Sequence, residues 1–133
     1  MRLKTACLLG VFVSLAITAV GFAQEGHPLV GVWLGDWGPT ATHRNDITIV
    51  MAWDGKALTG TVNPGPDAIP LKVATLDSTK WMVHLEADAK DQKGNPVRFV
   101  ADGKLENIGS YNRTLTGTWN HGGVKGDFRL RRD

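Results

Sequence analysis

Apolar and polar residues alternate with period two along almost the whole chain beyond residue 23, and no stretch there holds a helical apolar period for three turns. Alternation of this kind sends successive side chains to opposite faces of a strand. It predicts strands over 29–37, 44–53, 56–63, 69–77, 80–89, 96–106, 112–120 and 123–131, separated by Asp-Gly, Pro-Gly, Lys-Gly and Gly-Gly punctuation. One face then carries Trp33, Ile47, Ile49, Met51, Trp53, Leu58, Val62, Ile69, Leu71, Val73, Trp81, Val83 and Leu85. It continues through Val97, Phe99, Leu105, Leu115, Trp119, Val124, Phe128 and Leu130. The opposite face holds threonines and charged residues, among them His84, Glu86, Asp88, Arg98, Asp102 and Asp127. Eight short strands with one apolar face predict an all-β fold, a single eight-stranded antiparallel up-and-down barrel.

Gly31, Gly35, Gly60, Gly103, Gly117 and Gly126 fall on the apolar face. Glycine weakens a strand interior, so its repetition points to strong coiling of the sheet or room for a neighbouring indole, with open space expected at Gly35.

Up-and-down connections alternate between two ends. One end receives Asp54-Gly55, Asp77-Ser78-Thr79, the 107–112 connection and both ends of the barrel domain. The other gathers the longer loops 38–43, 63–68 and 90–96 with the 120–123 turn, and binding groups concentrate on such loops. This separates two tryptophans of the first strand. Trp33 sits at the closed end with Gly31 and Arg132, where an indole beneath a guanidinium is expected to plug the barrel by a cation–π contact. Trp37 sits at the open end, as a ligand contact that folding can spare. Trp119, Asn120 and His121 join it from the last hairpin, His43 from the first, and Asn63 from the loop after the third strand.

The glycine-x-tryptophan of the first strand, paired with an arginine on the last, resembles the calycin barrels: lipocalins, fatty-acid-binding proteins and avidins. "GVW" (31–33) followed by "DGKALTGTV" (54–62) is most similar to the avidin family. That resemblance implies a ligand entering the open end under a loop after the third strand, here "NPGPDA" (63–68). It does not extend to biotin. Gly35 stands where avidins place an Asn, Pro39 where they place a Ser, and Val62 where their "LTGTY" ends in Tyr.

Residues 1–23 are set apart from this domain. Arg2 and Lys4 precede an apolar run from Ala6 to Val20 and a small-residue exit at Ala23, the layout of a secretory signal peptide. The expectation is export to the periplasm or the medium, with the barrel occupying 24–133 and no membrane span retained. The one cysteine, Cys7, leaves with the peptide, so the barrel has no disulfide and depends on its core. Without Arg2 and Lys4, 13 of the 15 basic residues remain against 13 acidic ones. A balanced charge gives no support to nucleic-acid binding.

The four histidines form no H-x-H or H-x-x-x-H pair, so no metal or other cofactor is implied. His84, Glu86 and Asp88 read as a solvated outer face. His43 and His121 on neighbouring mouth loops allow a small enzyme using a histidine base, although no nucleophile motif or carboxylate pair accompanies them. Three functions therefore compete. The first is a binding protein for a small, partly apolar or aromatic ligand held by Trp37, His43, Asn63, Trp119, Asn120 and His121. The second is a filled barrel acting as an interaction, inhibitor or structural module, and the third is the histidine enzyme. Oligomeric state stays open.

Overall fold

The period-two pattern becomes eight strands in the computed structural model, which describes residues 27–91 and 93–133. They are β1 (Gly31–Gly38), β2 (Asn45–Trp53), β3 (Leu58–Val62), β4 (Ile69–Asp77), β5 (Met82–Lys90), β6 (Pro96–Glu106), β7 (Thr114–His121) and β8 (Val124–Arg132). Each pairs antiparallel with the next, and β1 pairs with β8 to close the barrel. Closure leaves no edge strand exposed. Every strand expected from the pattern is present, and no end is displaced by more than two residues. The signal-peptide reading lies outside the described residues.

The interior follows the predicted face. Ile47, Ile49 and Met51 of β2 meet Val83 and Leu85 of β5, Leu105 of β6, Leu115 of β7, and Phe128 and Leu130 of β8 in one buried cluster. Three positions depart from strict alternation. A bulge in the β4–β5 ladder between Leu71 and Val73 adds one residue, so Ala74 and Leu76 pack on the core in place of Val73. Trp53, at the end of β2, is 47% exposed and stacks on His27 at 5.2 Å, beyond the reach of the interior. Val124, beside the Gly122-Gly123 turn, is 52% exposed because the ladder ends there.

Inward glycines serve close approach of strands. A Cβ on Gly35 would lie 1.8 Å from the Arg129 carbonyl oxygen, and one on Gly117 would lie 2.0 Å from that of Asp102. The β1–β8 and β6–β7 pairs coil too tightly there for any side chain. Coiling was expected; the open space anticipated at Gly35 is instead filled by the backbone of β8.

The closed end is built on Trp33, which has no exposed surface. Its Nε1–H donates to the Leu29 carbonyl at 2.8 Å, within a turn closed by the Val30 N–H on the His27 carbonyl at 3.1 Å. Leu29 is itself fully buried, so the segment before β1 stoppers the barrel. The expected Trp33–Arg132 cation–π plug is not what forms. The Arg132 stem packs against Gly31, whose φ of 136° no larger residue adopts readily, and its guanidinium lies 5.9 Å from the Tyr111 ring centroid.

A different arginine ties the stopper down. Arg113 Nη1 donates to the Pro28 carbonyl at 2.8 Å and its Nε to the Ile108 carbonyl at 3.0 Å. Burial, and secondarily the charge of Arg132, lower its pKa from the usual guanidinium value, yet arginine stays charged in proteins. Losing both bonds in Arg113→Leu is expected to cost about 2 kcal/mol in urea unfolding. Arg113→Lys should recover little, since a point charge cannot bridge two carbonyls set for a planar fork.

Candidate functional site

Above this packed floor the interior is hollow. A cavity of about 290 Å³ opens at the long-loop end, walled by Ile47 and Ile49 of β2, Leu71 of β4, Leu85 of β5, and Phe128 and Leu130 of β8. Its room comes from small residues. Ala87 and Ala89 of β5 and Ala101 of β6 line it, and the register sets Ala87 opposite Phe99 and Ala101 opposite Leu85. Methyl groups thus stand where the inward positions of neighbouring strands carry bulk.

One wall is aromatic. Trp37 meets Trp119 edge-on at 4.9 Å between centroids and Phe99 at 5.9 Å, while Phe99 stacks on Trp119 at 5.8 Å. The Trp119 Nε1–H donates to the Asp127 carbonyl at 3.0 Å, which fixes the cluster to β8. His121 tilts over Phe99 at 6.0 Å. Its Nε2 lies 3.1 Å from the Ala89 carbonyl, which can only accept, so that nitrogen carries a proton and spans the mouth from β7 to β5.

The six expected contacts divide. Trp37, Asn63 and His121 line the cavity. Trp119 is buried behind Trp37 and Phe99 and supports the wall without facing the space. Asn120 points to the outside of the barrel, between Val100 and Lys125. His43 lies on the exposed first loop, its Nδ1 3.0 Å from the Thr40 hydroxyl, so His43 and His121 do not face one space. A long-range contact turns that loop outward. Arg44 bonds Asp36 at 2.6 Å, pairs with Asp127 of β8, and donates to the Gly38 carbonyl at 3.3 Å.

Lys90 and the three alanines were missed as site residues. The alanines had a signal in the sequence, because Ala87 and Ala89 continue the inward parity of Val83 and Leu85. Lys90 had none, since its parity at the strand end is outward.

A larger depression of about 1050 Å³ lies on the outer wall under the first loop, lined by charged and polar residues such as Arg98, Asp102, Thr118 and Lys125. It is a broad, open trough that leaves a small molecule in water. The cavity within the barrel, by contrast, encloses an apolar volume.

The outer face of β5 and β6 carries an ionic ladder. His84 Nδ1 lies 2.6 Å from Asp102 and its Nε2 2.7 Å from Glu86, and Arg98 bridges Asp88 at 2.8 Å. Among the described residues no group of three His, Cys, Asp or Glu is arranged to hold a metal ion. Asp102 first and then Glu86 raise the His84 pKa above its ordinary 6.5. A raised value stabilises the fold fully below pH 6.5 and loses that contribution as pH climbs through the folded-state value. Because the pair is solvent-screened, the expected effect is a fall of about 2 °C in Tm across that window. His84→Gln should flatten the melting profile there.

The fold and cavity together define a small closed eight-stranded antiparallel β-barrel with an open, apolar end. Compared with known proteins, the chain matches no family model, no curated protein and no solved structure.

Proposed function

We propose that this is an exported barrel that binds one small, partly apolar or aromatic ligand at its open end. The observation that carries the reading is the apolar cavity of about 290 Å³ between the packed floor and Trp37. At the roughly 30 Å³ that a water molecule occupies in the liquid, this is space for about ten non-hydrogen atoms. Apolar walls hold water poorly, whereas a ligand of that size regains dispersion contacts along every wall. Trp37 and Phe99 supply rigid contact area, and Asn63, Lys90 and His121 supply polar groups at the mouth. The filled-barrel alternative has no comparable support, because its interior would be occupied up to the level of Trp37.

The avidin-like motifs of β1 and β3 support the same end of the barrel as the entrance. The departures at Gly35, Pro39 and Val62 direct the reading away from biotin. Export to the periplasm or the medium rests on Arg2, Lys4, the apolar run and Ala23.

Native mass spectrometry of the protein purified from its own source is expected to reveal a bound species of small mass. Intrinsic fluorescence should report the same event, since Trp37 borders the cavity. At roughly 0.5 kcal/mol per ligand atom, a ten-atom compound binds with Kd on the order of 0.1–1 mM, so a metabolite library must be titrated into the millimolar range. If no compound binds and no native species is carried, the reading fails.

A further inference from the structure

We propose that the ligand is a monoanion, a carboxylate on an aromatic or aliphatic body of about ten non-hydrogen atoms. This rests on the reading of the cavity as a binding site and adds the chemical class of what enters it. The inference comes from the hydrogen-bonding inventory of the rim.

Asn63 is locked in place. Its backbone has φ 50°, its N–H donates to the Thr48 carbonyl at 2.7 Å, and its Oδ1 accepts the Thr48 N–H at 3.0 Å. With the amide oxygen turned to β2, the Nδ2 hydrogens are what remain for a guest. His121 spends its Nε2 proton on the Ala89 carbonyl. Trp37 makes no side-chain hydrogen bond among the described residues, so its indole N–H is one more donor at the cavity.

Lys90 brings the charge. It is exposed at the end of β5, is among the residues that line the cavity, and forms no ion pair among the described residues. The adjacent acid, Asp91, is committed to its own loop, where Oδ1 accepts the N–H groups of Lys93 and Asn95, each at 2.9 Å. Among the described residues no Asp or Glu lines the cavity. The opening therefore presents the amide hydrogens of Asn63, the indole N–H of Trp37 and a lysine above apolar walls, with Nδ1 of His121 as an acceptor beside them. A cationic guest meets repulsion there, and a neutral one gains no ion pair with the exposed ammonium. A carboxylate accepts from Lys90 and Asn63 together while its body enters the cavity. Its charge stays at the mouth, within reach of water, so the penalty of burying an ion is avoided.

The experiment uses three probes of matched size: phenylacetate, 2-phenylacetamide and phenethylamine, titrated by calorimetry and tryptophan fluorescence into the wild-type protein and Lys90→Met. Phenylacetate is expected to bind about fivefold more tightly than the amide, with the amine weakest, and Lys90→Met should bring the acid-to-amide ratio to about one. An amide or amine that binds as tightly as phenylacetate overturns the carboxylate while leaving the cavity as a binding site. A ratio unchanged in Lys90→Met also overturns the proposal, since the charge would then be recognised elsewhere. If none of the three binds at about 10 mM, the binding-site reading falls, and the carboxylate with it.

Discussion

Trp33→Ala is expected to unfold the barrel, or to leave it melting roughly 15 °C or more below wild type. Truncating a buried tryptophan costs about 3–5 kcal/mol, a large part of the roughly 5–15 kcal/mol that holds a domain of ordinary stability. Here the loss is compounded. The indole has no exposed surface, and its N–H holds the Leu29 carbonyl at 2.8 Å, so the cavity left behind would undercut the stopper as well as the floor. Trp33→Phe separates the two contributions. It keeps most of the apolar contact and loses the hydrogen bond, which predicts a smaller cost of about 1–2 kcal/mol. Urea unfolding followed by circular dichroism measures both. A Trp33→Ala variant that melts within a few degrees of wild type would show that the floor is held by something other than this indole.

The strands were legible in the sequence because burial on one side of a sheet imposes period two, and every loop between strands except 78–81 carries glycine, proline or asparagine where the chain must turn. What escaped the pattern depends on partners distant in sequence. The bulge after Leu71 is set by how β4 meets β5, and nothing in the alternation of β4 marks where one residue drops out of register. Strand parity pointed to Arg132 as the plug, and nothing in the sequence marked Arg113. The choice falls to Arg113 because the turn at Pro28 leaves a carbonyl facing it. The mouth loop is a similar case. His43 is adjacent to Arg44, but Arg44 answers to Asp127, 83 residues away, and carries the loop outward. Of the candidate contacts, Trp37, Asn63 and His121 line one cavity because the up-and-down topology alone brings them to one end.

Trp37 itself requires a revised expectation. At a bare rim its removal would have spared the fold, but the indole is half-buried and wedged against Phe99 and Trp119. Trp37→Ala should therefore lower stability and binding together, which makes it a poor test of the cavity. The small residues give a cleaner one.

Ala87→Leu is expected to weaken binding of phenylacetate and its amide at least tenfold while leaving the melting temperature unchanged or slightly raised. Ala87 is buried, lines the cavity, and faces Leu71 on one neighbouring strand and Phe99 on the other. An isobutyl group there grows into space that the fold does not use. In a filled core the same change would force neighbours off their rotamers and cost about 1–3 kcal/mol; into a void it gains contacts instead. The sign of the stability change therefore reports whether the space is empty, independently of any ligand. The binding change reports whether guests occupy it. A large fall in melting temperature would mean that the interior is already packed at this level. Undiminished binding in a stable variant would place the guest outside the barrel.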